Sequence, residues 1–347
     1  MNSTPELYVL ISNLLAHAGI DARPETVTLC IRGGNNRIYR VETAAGIFAV
    51  KQYFRHQGDN RDRLATEYAF LTYANVATPE TTPRPYACDP EAGLALYEFV
   101  EGRPFHAGEI GIAQVDAAIQ FFRALNAPRL RATARLPVAS EAGFTIADHL
   151  AFIDERINCL LDVIPQSDID YAALDFFRRL DKFWQQLLKN IHANVCRTYL
   201  NPDTTLAQEQ RCISPSDFGF HNALKGINGS ICFLDFEYAG WDDPAKTTGD
   251  FFAQLAIPIP SEYYDYFVAE SMSMFPESEL LVKRANILRP VYQIKWCCIA
   301  LNVFKQVHLA RRKFANPDLD EMVLKQTQLT KAEQILQSIQ TIPHGLH

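Results

Sequence analysis

The 347-residue chain has no apolar run approaching the ~18–20 residues that a membrane-spanning helix needs, so no span is expected. It has no block of like charge either. Its 33 Lys+Arg against 40 Asp+Glu leave a formal net charge of −7, which moves nucleic acid and anionic membrane surfaces out of the expected partners. Its 8 cysteines include no C-x-x-C pair and no histidine at zinc-ligand spacing, and they read as buried free thiols of a reducing, cytoplasmic compartment. No G-x-x-x-x-G-K-[ST] segment exists, which excludes a Walker-type phosphate loop. The N-terminal segment lacks a basic region and carries Glu6 and His17, so it reads as an amphipathic helix with Pro5 in its first turn and not as a signal peptide.

What is present is an ordinary globular composition, 48% hydrophobic and 21% charged, enough for one or two cores. Strand-like runs at 27–31, 38–43 and 47–54 are separated by the turn Gly33-Gly34-Asn35-Asn36 and by Ala44-Ala45-Gly46, predicting an antiparallel meander. A helix over 62–76 and short apolar runs at 85–88 and 94–100 follow. Beyond Gly102-Arg103-Pro104 the periodicity becomes helical, at 112–126, 145–163, 171–194, 261–274, 277–312 with a break near Pro290, and 318–339. One β interruption covers 211–214 and 223–236. Strands first and helices later predict an α+β chain in two lobes, divided near residue 102.

Four pieces carry chemistry. Lys51 ends an apolar strand one hairpin after the glycine turn, placed to reach the phosphates of a nucleotide beneath that turn. Glu67, on the following helix, is placed to pair with it and hold the ammonium charged. Asp217 and Asn222 form a D-x-x-x-x-N spacing in a loop between two strands, where a carboxylate orients an attacking hydroxyl and an amide oxygen holds magnesium. Asp235 ends the apolar run Ile231-Cys-Phe-Leu, a costly place for a carboxylate unless a cation compensates.

In this order the pieces resemble the protein-kinase-like superfamily, and Asp235-Phe-Glu, Asp243-Pro-Ala and Gly249-Asp250-Phe are similar to its aminoglycoside phosphotransferase and choline kinase branch. The resemblance implies a two-lobe kinase fold, with residues 1–101 as a nucleotide-binding lobe of antiparallel sheet plus helix. Residues 102–347 would form a larger, mainly helical lobe with the catalytic loop, metal and acceptor site. It implies an ATP- and Mg²⁺-dependent kinase acting on a hydroxyl of a sugar, amino alcohol or aminoglycoside-like acceptor. Asp217 would be the base, Asn222 and Asp235 the metal ligands, and Lys51 with Glu67 the phosphate lysine and its brace. Gly33, Gly34, Asn35 and Asn36 would cover the nucleotide, and the backbone of 96–100, with Glu98 and Val100, would receive the adenine. Glu237, Trp241, Asp242 and Asp243, with one of Tyr263, Tyr264 or Trp296, would face the acceptor, acids and aromatics that suit a cationic amine or a sugar. Asp243 equally suits capping the helix that starts at Pro244. Pro215-Ser216 stand where the family usually has His-Gly, so loop bracing is expected from Ser214 or Ser216. His221 stands where Gly is common, as a substrate contact or a partly exposed loop residue. A nucleotide-binding pseudokinase and an adenylyl transferase remain as alternatives on the same fold.

Overall fold

The computed structural model describes residues 5–30, 36–55 and 61–341. The turn residues Gly33, Gly34 and Asn35 lie outside the described residues. A five-stranded antiparallel sheet runs in the order β1-β2-β3-β5-β4, from β1 (Pro24–Cys30), β2 (Arg37–Thr43), β3 (Gly46–Gln52), β4 (Pro85–Asp89) and β5 (Leu94–Glu98). Its inner strands alternate with period two. Val41, Val50, Leu94 and Leu96 pack on Leu7, Ile11, Leu14 and Leu15 of α1 (Pro5–His17). Tyr53, Ala95 and Tyr97 turn to the other side, against Phe70, Leu71 and Ala74 of α2 (Arg63–Ala77). Lys51, out of phase with Val50, is carried to that second side. The expected meander is there, extended by β5 and β4.

The chain then forms β6 (Arg103–Pro104), α3 (Ile112–Leu125), α4 (Pro128–Arg131), α5 (Ile146–Leu161), α6 (Asp168–Arg197) and β7 (Cys212–Ser214). Next come β8 (Ala223–Lys225), β9 (Ile231–Phe233), β10 (Gly240–Asp242), α7 (Pro244–Ala253) and α8 (Tyr264–Met272). α9 (Ser278–Leu301), α10 (Gln306–Ala315) and α11 (Glu321–Thr341) close the fold. β6-β8-β9 and β10-β7 are small sheets inside this helical part. Its core joins α5, α6, α9 and α11 through Trp184, Phe176, Phe177, Leu288 and Leu336. No described helix is long and apolar enough to cross a membrane.

Two expectations change. α9 runs through Pro290 without a break, since residues such as Ile287, Leu288, Val291 and Ile294 are buried around it and outweigh one missing backbone bond. The chain breaks later, at a 3₁₀ turn over Asn302–Phe304. The cysteines are all free, but only Cys212, Cys232, Cys297 and Cys298 are buried, and Cys159 and Cys196 are exposed on helix faces.

α7 packs tightly on α9 at Gly249, where a Cβ would collide with the Tyr292 ring. Gly249→Ala is expected to destabilise the fold by about 1–3 kcal/mol, read as a lower denaturant midpoint. An unchanged midpoint would mean that α7 and α9 shift apart freely.

Candidate active site

The site is built on the loop after β7. Asn126, at the end of α3, accepts from the Ile213 N–H at 2.7 Å and donates to the Ile213 carbonyl at 2.9 Å, pinning the strand. Sequence reading passed over Asn126; an asparagine closing an apolar helix was its only signal, and the structure buries it fully. The Ser214 hydroxyl then accepts from Ser216 N–H at 2.9 Å and from the Thr247 hydroxyl at 2.8 Å. Lys246 Nζ donates to the Ser216 hydroxyl at 3.0 Å. Ser216 is held in a left-handed conformation, φ 66°. The brace expected from Ser214 or Ser216 therefore uses both.

The loop is anchored by its aromatics. Phe218 stacks on Phe251 at 4.7 Å, and Phe220 packs against Phe105 and Phe233. Driving these rings inward turns Asp217, His221 and Asn222 toward the cleft. The Asp217 side chain keeps 30% exposure, and its Oδ1 lies 3.0 Å from His221 Nε2. Burial acts to raise its pKa, but His221, the nearby Asn222 amide and Lys295 outweigh it and hold the carboxyl below its ordinary value. Asp217 is thus an ionised acceptor at neutral pH. The Asn222 amide nitrogen donates to the Asp217 carbonyl at 3.0 Å, and the amide oxygen has no partner among the described residues.

Across the cleft, Lys51 Nζ donates to Glu67 Oε2 and to Asp235 Oδ1, both at 2.6 Å. Glu67 also accepts from the Tyr53 hydroxyl at 2.6 Å and from Phe236 N–H at 3.2 Å. This carboxylate therefore ties the sheet side to the strand end that carries Asp235. Burial alone would lower the Lys51 pKa, yet Asp235, Glu67 and Glu237 together lift it well above its ordinary value, so the ammonium is charged. Asp235 adopts φ 64°, a left-handed conformation that aspartate tolerates better than most residues.

The remaining expected residues divide. Asn36 is buried, donating to Glu237 Oε2 at 2.6 Å and accepting from Phe54 N–H at 3.1 Å, so it joins the two sides of the cleft. Glu98 is exposed at the end of β5 and accepts from Arg84 N–H, and Val100 is half-buried beyond it. Glu237 is buried against Asn36, with Arg63 at 3.9 Å. Trp241 lies in β10, paired with Ile213. Asp242 is locked to Lys246 at 2.5 Å, and Asp243 to Arg284 at 2.6 Å and His149 at 2.9 Å, both aspartates being fully buried. Asp243 also caps α7 by accepting from Ala245 N–H at 2.8 Å. None of Glu237, Trp241, Asp242 and Asp243 lines the open cleft, because each is taken up by the core that holds the loop. Trp296 does line it, donating to Asp250 at 2.9 Å, whereas Tyr263 and Tyr264 do not.

The open space is a cavity of about 580 Å³ whose floor is Asp217, Asn222 and Asp235. Its far wall is α10 and the middle of α11, through His308, Arg311, Arg312 and Lys331. No motif marked these residues, because a basic wall reads in sequence like any solvated helix face.

Residues 26–271, well over half the chain, match the family model described as the phosphotransferase enzyme family. Comparison with curated proteins gives no match. Among solved structures, the choline kinase of Streptococcus pneumoniae superposes with TM-score 0.57 at 14% identity, covering 96% of this chain and 99% of its own. The Plasmodium vivax ethanolamine kinase gives TM-score 0.57 at 16% identity, covering 98% and 91%. A spectinomycin phosphotransferase solved with ADP and spectinomycin gives TM-score 0.57 at 11% identity, covering 97% and 99%. At such identities the likeness carries the fold, an α+β kinase-like architecture, and the family match carries the rest: this chain is a member of the phosphotransferase enzyme family.

Proposed function

We propose that the protein is an ATP-dependent kinase that phosphorylates a hydroxyl of a small molecule, with Asp217 orienting that hydroxyl. The observation that carries the reading is the convergence of Asp217, Asn222 and Asp235 on one cavity, with Lys51 bonded to Asp235 at its edge. Asp217 lends its second carboxylate oxygen to the acceptor hydroxyl while His221 fixes the first. Lys51, braced by Glu67, holds phosphate oxygens as a buried positive charge. The backbone of 96–100 would receive the adenine, and the turn at 33–36 would cover the phosphates.

The residues fit magnesium. Among the described residues the Asn222 amide oxygen has no partner, and Asp235 is 35% exposed with one oxygen engaged by Lys51. Glu67 and Glu237 also lie close to Asp235; Lys51, Tyr53 and the Phe236 N–H take the Glu67 oxygens and Asn36 takes Glu237 Oε2, while Glu237 Oε1 is buried with no hydrogen-bond partner among the described residues. Asn222 and Asp235, which line the cavity as Glu67 and Glu237 do not, would hold the ion, which when bound offsets phosphate charge. The free thiols agree with a reducing cytoplasm, where ATP is plentiful.

The test is a panel of hydroxylated acceptors incubated with ATP with and without magnesium, products weighed by mass spectrometry. The expected product carries one added phosphoryl group and forms only with magnesium. A product carrying an adenylyl group, or tight ATP binding without turnover on any acceptor, would replace this reading with a transferase of nucleotidyl groups or a pseudokinase.

A further inference from the structure

The charge of the cavity is opposite to the one its acidic sequence suggests. Six of its lining side chains are Arg or Lys and four are Asp or Glu. The acids are already engaged: Glu141 meets Arg156 at 2.5 Å, Asp250 meets Lys295 at 2.9 Å, Asp235 meets Lys51 at 2.6 Å, and Asp217 meets His221 at 3.0 Å. Arg311, Arg312 and Lys331 have no carboxylate partner among the described residues. Arg311 donates to the Tyr238 hydroxyl at 3.0 Å, while its Nε is buried with no hydrogen-bond partner. A buried guanidinium nitrogen left without an acceptor is costly, and a ligand oxygen is the natural group to supply one.

This wall is fixed in place. Phe314, three residues beyond Arg311 on α10, receives the Arg37 guanidinium on its ring at 4.2 Å and packs against Phe54 at 5.3 Å. α10 is thereby fastened to the sheet side of the cleft while its inner face looks toward Asp217. The cations also crowd one another. Burial, then Arg311, Lys305, Arg156 and Arg61, lower His308 to about 4, and burial followed by Arg311 lowers Arg312. An anion placed among them would relieve that repulsion.

We propose that the acceptor bears an oxyanion, a carboxylate or a phosphate, gripped by Arg311 and Arg312 with Lys331 while its hydroxyl lies at Asp217. The proposal rests on the kinase reading above and adds the chemical class of its acceptor. Two parallel N–H donors of an arginine match the two oxygens of such a group, which a lysine does not do. A cationic amine or aminoglycoside would meet like charge on this wall.

The acceptor panel is run as matched sets: sugar phosphates, sugar acids, the corresponding neutral sugars, and amines including choline and an aminoglycoside. At least one anionic member is expected to exceed its neutral counterpart more than tenfold in kcat/KM, the two anionic arms separating phosphate from carboxylate. In Arg311→Gln and Arg312→Gln that preference is expected to fall by about ten- to a hundredfold through KM for the acceptor. Lys313→Gln, which removes a charge from the exposed side of α10, serves as the comparison, and far-UV circular dichroism confirms folding. A neutral or cationic acceptor preferred over the anionic ones would overturn the proposal and leave the kinase reading standing. A rise in KM for ATP, with the acceptor KM unmoved, would reassign these arginines to the nucleotide and overturn it too. Failure of every acceptor, with no ATP turnover that depends on Asp217, would remove the kinase reading itself.

Discussion

Asp217→Asn is expected to lower kcat for phosphoryl transfer by about 10²–10⁴-fold, with the thermal midpoint little changed. The expectation follows from where the carboxylate stands. Its Oδ1 is bonded to His221, an interaction that an amide oxygen can still accept, and its side chain is partly open to the cavity. The substitution therefore preserves the loop and removes the charge. Because His221, Asn222 and Lys295 hold the Asp217 carboxyl below its ordinary range, no loss of activity from its protonation is expected until the pH falls below that range. In the kinase reading we propose, a carboxylate held below its ordinary range would orient the hydroxyl and accept its proton late, as a loose phosphoryl-transfer transition state allows. The measurement is kcat under saturating ATP and acceptor for both proteins. If the variant kept more than a tenth of wild-type kcat, Asp217 would be a structural loop residue and the base would have to be sought elsewhere.

Asp243→Asn is expected to cost about 3–5 kcal/mol of stability, because Arg284 would be left charged and buried without its counterion. Asparagine can still cap α7, so Asp243→Ala should lose about 1 kcal/mol more. Adding Arg284→Met to Asp243→Asn should recover part of the loss, since a buried charge pair replaced on both sides by uncharged groups is far less costly than half of one. The same group sets an acid limit. Burial would raise its pKa, but Arg284 and His149 bring the folded value down to about 2, below its ordinary carboxylate value. A depressed carboxylate contributes stability above its unfolded pKa and loses it as the pH falls through the folded one. Roughly 2 kcal/mol should therefore disappear between about pH 4 and pH 2. Urea titrations across that window, for the wild type and Asp243→Asn, read the difference directly. A wild-type slope matched by the variant would show that other carboxylates carry the acid sensitivity.

Both predictions turn on residues that the sequence singled out, one for each kind of work. Asp217, Asn222, Asp235, Lys51 and Glu67 were legible as candidates because the phosphoryl transfer we propose would need those functional groups in a fixed order, and local spacing places them on a loop, a strand end, a strand and a helix. The sheet was legible from period-two alternation, and the helices from their apolar stripes. Pro290 misled as a helix breaker, because local propensity is overridden when a helix is buried along its length.

The acceptor side was not legible, and the reason is physical. Asp242 and Asp243 look in sequence like acids available to a ligand, but whether an acid meets a ligand or an arginine depends on what packs against it from distant segments, here Lys246, Arg284 and His149. Arg311 and Arg312 look like ordinary surface charges until α10 is folded across the cleft and Phe314 is docked on Arg37. The overall charge of −7 gives no hint of this wall, since net charge sums over the whole surface while a ligand meets only the groups lining one cavity. Sequence alone determined the family of chemistry, because that chemistry is written in residue types and local order. Only the tertiary structure decided the sign of the field in the cavity, because that field is the sum of side chains brought together from five helices and the loops between them.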